Sequence, residues 1–283
     1  MYRPGVTTRA LVLGGGGVTG VAWEIGLLAG LAARGVQLAG ADLIVGTSAG
    51  SLVGAQLASG ISLDEMYANQ LAPSGPPGRA PRLRPRHMAL YGWAVLSHRD
   101  PVAARAQIGR LATAAPAMPE AERRAVIASR LPGDAWPARR LLITAVDAES
   151  GEFRAFGAGQ DVGLIDAVAA SCAVPGVWPP VTIGGRRWMD GGIRSPANAD
   201  LAAGCDVVVV LAPLPLGVRG AGVPSQVAGL RRHGCSVAAA APDRAARAAI
   251  GRNVLDPARR APAARAGHAQ AGSALDRVAA VWG

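Results

Sequence analysis

Residues 10–58 repeat one pattern: an apolar run, a glycine-rich turn, then a helix-forming stretch. Ala10-Leu11-Val12-Leu13 leads into Gly14-Gly15-Gly16-Gly17-Val18-Thr19-Gly20, and Val21 to Arg34 follows, with Gly35 as its stop. Leu43-Ile44-Val45 leads into Gly46-Thr47-Ser48-Ala49-Gly50, and Ser51 to Ala58 follows. Short, uncharged apolar runs of this kind are strands covered on both faces, the habit of parallel sheets packed between helices. Asp206-Val207-Val208-Val209-Val210-Leu211 is a third such run. The expected fold is α/β, three layers (α/β/α) around a largely parallel central sheet. With 283 residues, 50% of them hydrophobic, the chain can bury that core as one domain over 1–283.

The second turn is a nucleophile elbow by pattern. A serine at a sharp strand-to-helix turn needs small neighbours, because its backbone is strained and the two elements pack closely; Gly46, Ala49 and Gly50 supply them. The helix N-terminus beneath Ser48 favours negative charge. Among 38 glycines the five-residue motif alone is weak; its setting between strand and helix strengthens it.

The first turn has two readings. Gly15-x-Gly17-x-x-Gly20 fits the dinucleotide fingerprint, with its amides on a pyrophosphate. The same converging amides suit the oxyanion of an acyl-transfer intermediate. The cofactor reading needs an acid at the end of the second strand. Gly46-Thr47-Ser48 stands there instead, and the nearest acid, Asp42, stands at the strand's beginning.

A catalytic serine needs a base. His87, His98, His233 and His268 are the only histidines. None occupies a plausible strand-end loop, and His233 and His268 fall in Arg/Ala-rich stretches that read as exposed helix. Asp190 ends a short strand, Arg186-Arg187-Trp188-Met189, and Gly191-Gly192 after it would present the carboxylate. By itself Asp-Gly-Gly reads as a plain turn.

Taken in order, Gly15-Gly16-Gly17-x-x-Gly20, Gly46-x-Ser48-x-Gly50 and Asp190-Gly191-Gly192 resemble the patatin-like phospholipase family, as does the stretch Ala170 to Pro180 before the last turn. The resemblance spans about residues 9–213. It implies a serine–aspartate dyad without histidine, acting on acyl esters of lipids: Ser48 as nucleophile, Asp190 as base, the amides of Gly15, Gly16 and Gly17 as oxyanion hole, and no metal or cofactor. A solvated aspartate, with a pKa of about 3.9, is a weak base toward a hydroxyl, so the dyad demands a dry site. One position departs from the family. Its usual Arg or Lys two residues after the third glycine is Thr19 here. The loop amides survive that change, but a cation able to meet phosphate is lost, so neutral or single-chain esters are expected to be favoured over two-chain anionic phospholipids. A nucleotide-binding oxidoreductase and a non-catalytic lipid-binding protein of the same fold are the alternatives.

All 29 basic residues are arginine, and the net charge is +10. A Schiff-base or Walker-type lysine is thereby excluded. The arginines are dispersed and aromatics make up 4%, without a nucleic-acid motif, so no nucleic-acid partner is expected. An acyl-ester substrate and peripheral contact with an anionic membrane surface fit better, and a solvated basic surface with no partner fits equally well. Cys172, Cys205 and Cys235 lack CxxC spacing and read as reduced thiols of a cytoplasmic protein. Residues 43–63 are uncharged, yet they hold the elbow and are rich in glycine and serine, which argues against a membrane helix; the N-terminal apolar run reads as the first strand, not a secretion signal.

Further elements are expected as helices near 62–70, 101–113 and 119–130, a strand over 141–146, hairpin segments near 152–156 and 180–189, and a helical C-terminal segment over 224–283. Residues 72–100 form a candidate lid. Arg79, Arg82, Arg84 and Arg86 precede an apolar patch of Met88, Leu90, Tyr91 and Trp93, suited either to interfacial docking or to capping the core. Oligomeric state has no signal in the sequence.

Overall fold

The computed structural model describes residues 7–73, 80–83, 85–113, 118–217 and 221–283. Arg79 and Arg84 of the candidate lid lie outside them.

In chain order the elements are β1 Arg9–Leu13, α1 Gly17–Ala32, β2 Leu43–Gly46, α2 Ala49–Ala58, α3 Leu63–Leu71, α4 Pro85–Ser97, α5 Pro101–Thr113, α6 Glu120–Ala128, β3 Arg140–Asp147, β4 Phe153–Phe156, α7 Leu164–Ser171, β5 Val181–Ile183, β6 Arg186–Asp190, β7 Val207–Leu211, α8 Val223–Arg232, β8 Ser236–Ala240, α9 Arg244–Ile250 and α10 Arg260–Trp282. The sheet runs β5-β6-β3-β2-β1-β7-β8, with β4 also on β3. Strands β3, β2, β1, β7 and β8 are parallel, while β4 and β6 run antiparallel to β3. The two glycine turns therefore leave the carboxyl ends of adjacent central strands, β1 and β2, where open α/β sheets place their binding crevices.

Alternation along the strands builds the three layers. Leu11, Leu13, Ile44, Val209 and Leu211 pack with α1, α2, α7 and α10 on one face. Ala10, Val12, Val45, Val208 and Val210 pack on the other with Val223, Val227 and Leu230 of α8. Helix α1 is buried almost throughout because α10 lies across it. Trp23 donates its indole N–H to Gln270 Oε1 at 2.9 Å, joining the first helix to the last.

Three expectations need correction. Both helices after the turns begin earlier than periodicity indicates, α1 at Gly17 and α2 at Ala49, because glycine and alanine at a helix N-terminus carry no hydrophobic signal. The C-terminal segment is not wholly helical. Ser236–Ala240 is the edge strand β8, an alanine-rich run whose helical composition is overridden by pairing with β7. Helix α7, from Leu164 to Ser171, was not expected at all. Glu24 is fully buried in α1; burial pushes its carboxyl well above the usual range, opposed by a hydrogen bond with the Gly14 backbone. No helix among the described residues is long and apolar enough to cross a membrane.

Candidate active site

The elbow is strapped to the neighbouring strand. Thr47 N–H donates to the Leu13 carbonyl at 3.0 Å, and Gly50 N–H donates to the Gly14 carbonyl at 3.0 Å. Between them Ser48 takes φ 52° and ψ −115°, a conformation that costs a non-glycine residue on the order of 1–3 kcal/mol and persists only when its surroundings hold it. Helix α7 and its end provide that hold. Ser48 N–H donates to Ser171 Oγ at 2.9 Å, and the Ser48 carbonyl accepts from Ser51 Oγ at 2.6 Å and Cys172 Sγ at 3.2 Å.

Close packing at this corner explains the small residues. A Cβ on Gly50 would sit 2.2 Å from the Leu13 carbonyl oxygen, a backbone atom that cannot step aside. Gly50→Ala is expected to destabilise the fold by about 3 kcal/mol or more, the upper range for overpacking, because β1 and α2 would have to separate. Chemical denaturation measures this, and a loss below about 1 kcal/mol would contradict the packing.

Asp190 is brought to the same place from the other direction. It ends β6 opposite Ala145 of β3, and its N–H donates to the Ala173 carbonyl at 3.0 Å. The carboxylate accepts from Gly192 N–H at 2.7 Å, so the Asp-Gly-Gly turn fixes its direction. Burial raises its pKa from 3.8 to about 6; hydrogen bonding from the Ser48 hydroxyl, the Gly192 amide and the charge of Arg123 oppose that rise. Asp190 itself is buried.

A buried polar knot ties the two halves together. Asn198, held at φ 51°, directs its amide at Thr47 Oγ1 (3.0 Å), the Ser195 carbonyl (3.0 Å), Thr144 Oγ1 (3.3 Å) and the Gly191 carbonyl (3.3 Å). Thr144 Oγ1 in turn donates to Thr47 Oγ1 at 3.0 Å. Elbow, central strand and Asp-Gly-Gly turn thus share one side chain. The sequence gives a hint of it only in retrospect: Pro-Ala-Asn after the glycine turn, with Asn among the residues that tolerate a left-handed backbone.

The first glycine loop completes the site, with one correction. Gly15 N–H donates to the Pro196 carbonyl at 2.7 Å, so that amide is already engaged and Gly15 contributes its small size. The Gly16 and Gly17 amides have no protein partner among the described residues. Gly17 begins α1 at φ 60°, where a Cβ would meet the Val254 carbonyl at 2.8 Å. Gly20 packs on Pro213 and Ala49, Gly46 on the first turn of α2, and Gly191 on Thr144, each leaving no room for a side chain without displacement. Thr19 is fully buried and bonded through both N–H (3.0 Å) and Oγ1 (3.3 Å) to the Val254 carbonyl. It braces the loop before α10.

These groups line one cavity of about 420 Å³, shared by Gly15, Gly16, Gly17, Ser48, Asp190 and Gly192. None of the four histidines is among its lining residues. His233 is exposed, and His268 is half-buried, stacked on Tyr67 at 5.2 Å. Tyr91 of α4 does reach the cavity and donates to the Pro175 carbonyl at 2.5 Å; burial, then the Asp190 charge, holds its hydroxyl above the usual range. The 72–100 segment reaches the site through Leu83 and through α4, but α4 does not cap the core as a buried helix. Met88 and Trp93 are each 54% exposed and Leu96 is 83% exposed. Among the described residues no cluster of three or more His, Cys, Asp or Glu is placed to hold a metal ion.

No curated protein matches the chain. Among solved structures it is similar to VipD from Legionella pneumophila, at 14% identity and TM-score 0.47, over 96% of this chain and 67% of that one. It is also similar to the type III effector protein ExoU, at 16% identity and TM-score 0.43, over 95% of this chain and 53% of that one. The chain thus spans little more than half the length of ExoU. Residues 11–203, which carry both glycine turns, the elbow and Asp190, match the family model for patatin-like phospholipases. The dinucleotide alternative falls with that match; Asp42 sits at the far end of β2, accepting from the Arg9 backbone N–H at 2.8 Å. The chain belongs to the patatin-like phospholipase family of lipid ester hydrolases.

Proposed function

We propose that the protein hydrolyses acyl esters of lipids through a Ser48–Asp190 dyad and an acyl-enzyme intermediate. The observation that carries this reading is the meeting of a strained elbow serine and a buried aspartate of raised pKa in one cavity. Ser48 Oγ attacks the ester carbonyl while Asp190 takes its proton. The oxyanion forms against the Gly16 and Gly17 amides at the start of α1, where the helix dipole adds to the attraction. As the tetrahedral species collapses, Asp190 returns the proton to the departing alcohol. Asp190 then deprotonates a water, which attacks the acyl-Ser48 ester; as that second tetrahedral species collapses, Asp190 returns the proton to the departing Ser48 Oγ and the fatty acid is released.

The cavity mouth fits a lipid aggregate. Met88, Leu214 and Leu216 line the cavity and are exposed, and Trp93 and Leu96 continue the apolar strip along α4. An acyl chain leaving a membrane or micelle would pass over this rim, with the 72–100 segment as its lid and the whole chain acting as one catalytic unit.

Release of fatty acid from p-nitrophenyl esters and lysophospholipids by purified protein tests the reading, and absence of turnover on every ester class would contradict it. Histidine must be dispensable. His87→Gln, His98→Ala, His233→Ala and His268→Ala, made singly, are expected to keep kcat/KM within about fivefold of wild type. A stable histidine variant as inactive as Ser48→Ala would show a triad instead of a dyad.

A further inference from the structure

A second cavity, of about 820 Å³, lies on the far side of Leu255, which lines both. Its wall carries three arginines: Arg123 on α6, Arg130 just beyond that helix, and Arg260 at the start of α10. The only carboxylate in the lining belongs to Glu65, which is exposed. None of the three arginines forms an ion pair among the described residues, and the remaining residues of the chain include no Asp or Glu. Nε of Arg123 and Nε of Arg260 are buried without a hydrogen-bond partner. The Arg123 guanidinium carbon lies over Trp178, 4.1 Å from the ring centre, a cation–π contact that uses none of its N–H donors. Burial holds Arg123 below the usual arginine range, with the Arg130 charge acting the same way.

Arg260 spends one Nη2 N–H on the Ala72 carbonyl at 2.7 Å. Like charges sharing a wall without counterions are unfavourable, and the buried Nε donors of Arg123 and Arg260 left unused are more so. A phosphate group relieves both, since its oxygens accept from several guanidinium edges at once. Two links tie this cavity to the first. Leu52 and Gln56, which line it, follow Ser48 on α2, and the Arg123 charge acts on Asp190.

We propose that this cavity is a phosphate-binding site adjoining the ester-cleaving cavity. As the seat of a substrate head group the inference rests on the dyad reading; as a seat for free phosphate it does not. The three arginines replace the cation missing at Thr19, so that among the single-chain esters the site favours anionic over neutral ones.

The test has two arms, both on the full chain. The first is calorimetric titration with inorganic phosphate of wild type, Arg123→Gln, Arg130→Gln and Arg130→Lys, with circular dichroism to confirm folding. The second is kcat/KM for octanoyl lysophosphatidylglycerol relative to p-nitrophenyl octanoate. Phosphate binding should be present in wild type, lost in the Gln variants and partly kept in Arg130→Lys. The anionic-to-neutral ratio should fall about 10- to 100-fold in each Gln variant, the range for losing a charge-assisted contact. Loss of phosphate binding with an unchanged ratio would support the site with free phosphate as its ligand. Binding that is absent in wild type, or unaltered in both Gln variants, together with an unchanged ratio, would overturn the proposal. Wild type that cleaves neither ester would sink the dyad reading, and the calorimetric arm would still decide this one.

Discussion

Ser48→Ala is expected to lower ester hydrolysis by about 10⁴-fold or more while leaving the fold intact. The hydroxyl is the only group the substitution removes, and nucleophile deletions in acyl-transfer enzymes lose rates of that order. Stability should scarcely change, because alanine inherits the strained φ of 52° and keeps the backbone bonds to Ser171 and Cys172. A second consequence follows from the two residues acting as a unit: adding Asp190→Asn to Ser48→Ala should cost almost no further activity. Initial rates on p-nitrophenyl octanoate, with melting curves on the same preparations, provide the check. Wild-type turnover in folded Ser48→Ala would exclude the elbow as the reacting centre.

Asp190→Asn should nearly match that loss in activity and yet stabilise the protein. The aspartate is 5% exposed, and its pKa stands at about 6 in the fold against 3.8 ordinarily. Below about pH 4 both folded and unfolded chains hold the proton, and the group costs nothing. Between about pH 4 and 6 the unfolded chain releases a proton that the fold retains, so stability falls as pH rises. Above pH 6 the cost is complete, at about 2–3 kcal/mol. Asparagine can still accept from the Gly192 N–H and carries no charge to bury. Its advantage should therefore appear in denaturation at pH 7–8 and vanish near pH 4. In wild type the same titration sets an acid limb in kcat/KM near pH 6, since only the ionised carboxylate takes the Ser48 proton. A limb near pH 4, or an Asn variant less stable at pH 8, would show that Asp190 is not buried as a base.

The parts of this site that can be read from sequence are those with short-range grammar. Strand, glycine turn and helix recur at 10–34 and 43–58, and the Asp190 turn has the same local character, so fold class and the residues proposed for the dyad come from contiguous text. What escapes is whatever depends on residues meeting from afar. The bond from Ser48 N–H to Ser171 spans 123 positions, and Asn198 reaches Thr47 across 151. Gly15 is indistinguishable from Gly16 and Gly17 in sequence; only the Pro196 carbonyl, brought in by the loop before β7, occupies its amide. Strand β8 was hidden for the related reason that Ser-Val-Ala-Ala-Ala acquires its conformation from β7. The three arginines of the second cavity come from two separated segments and resemble solvated surface until those segments close around it.

The most direct measurement is to let a fluorophosphonate react with wild type and with Asp190→Asn at pH 7.5, then locate the adduct by peptide mass spectrometry. The dyad account predicts a single adduct on Ser48 in wild type, forming at least about 100-fold more slowly in Asp190→Asn because the hydroxyl has lost its base. An adduct on any other residue, or on Ser48 at an undiminished rate in Asp190→Asn, would contradict it.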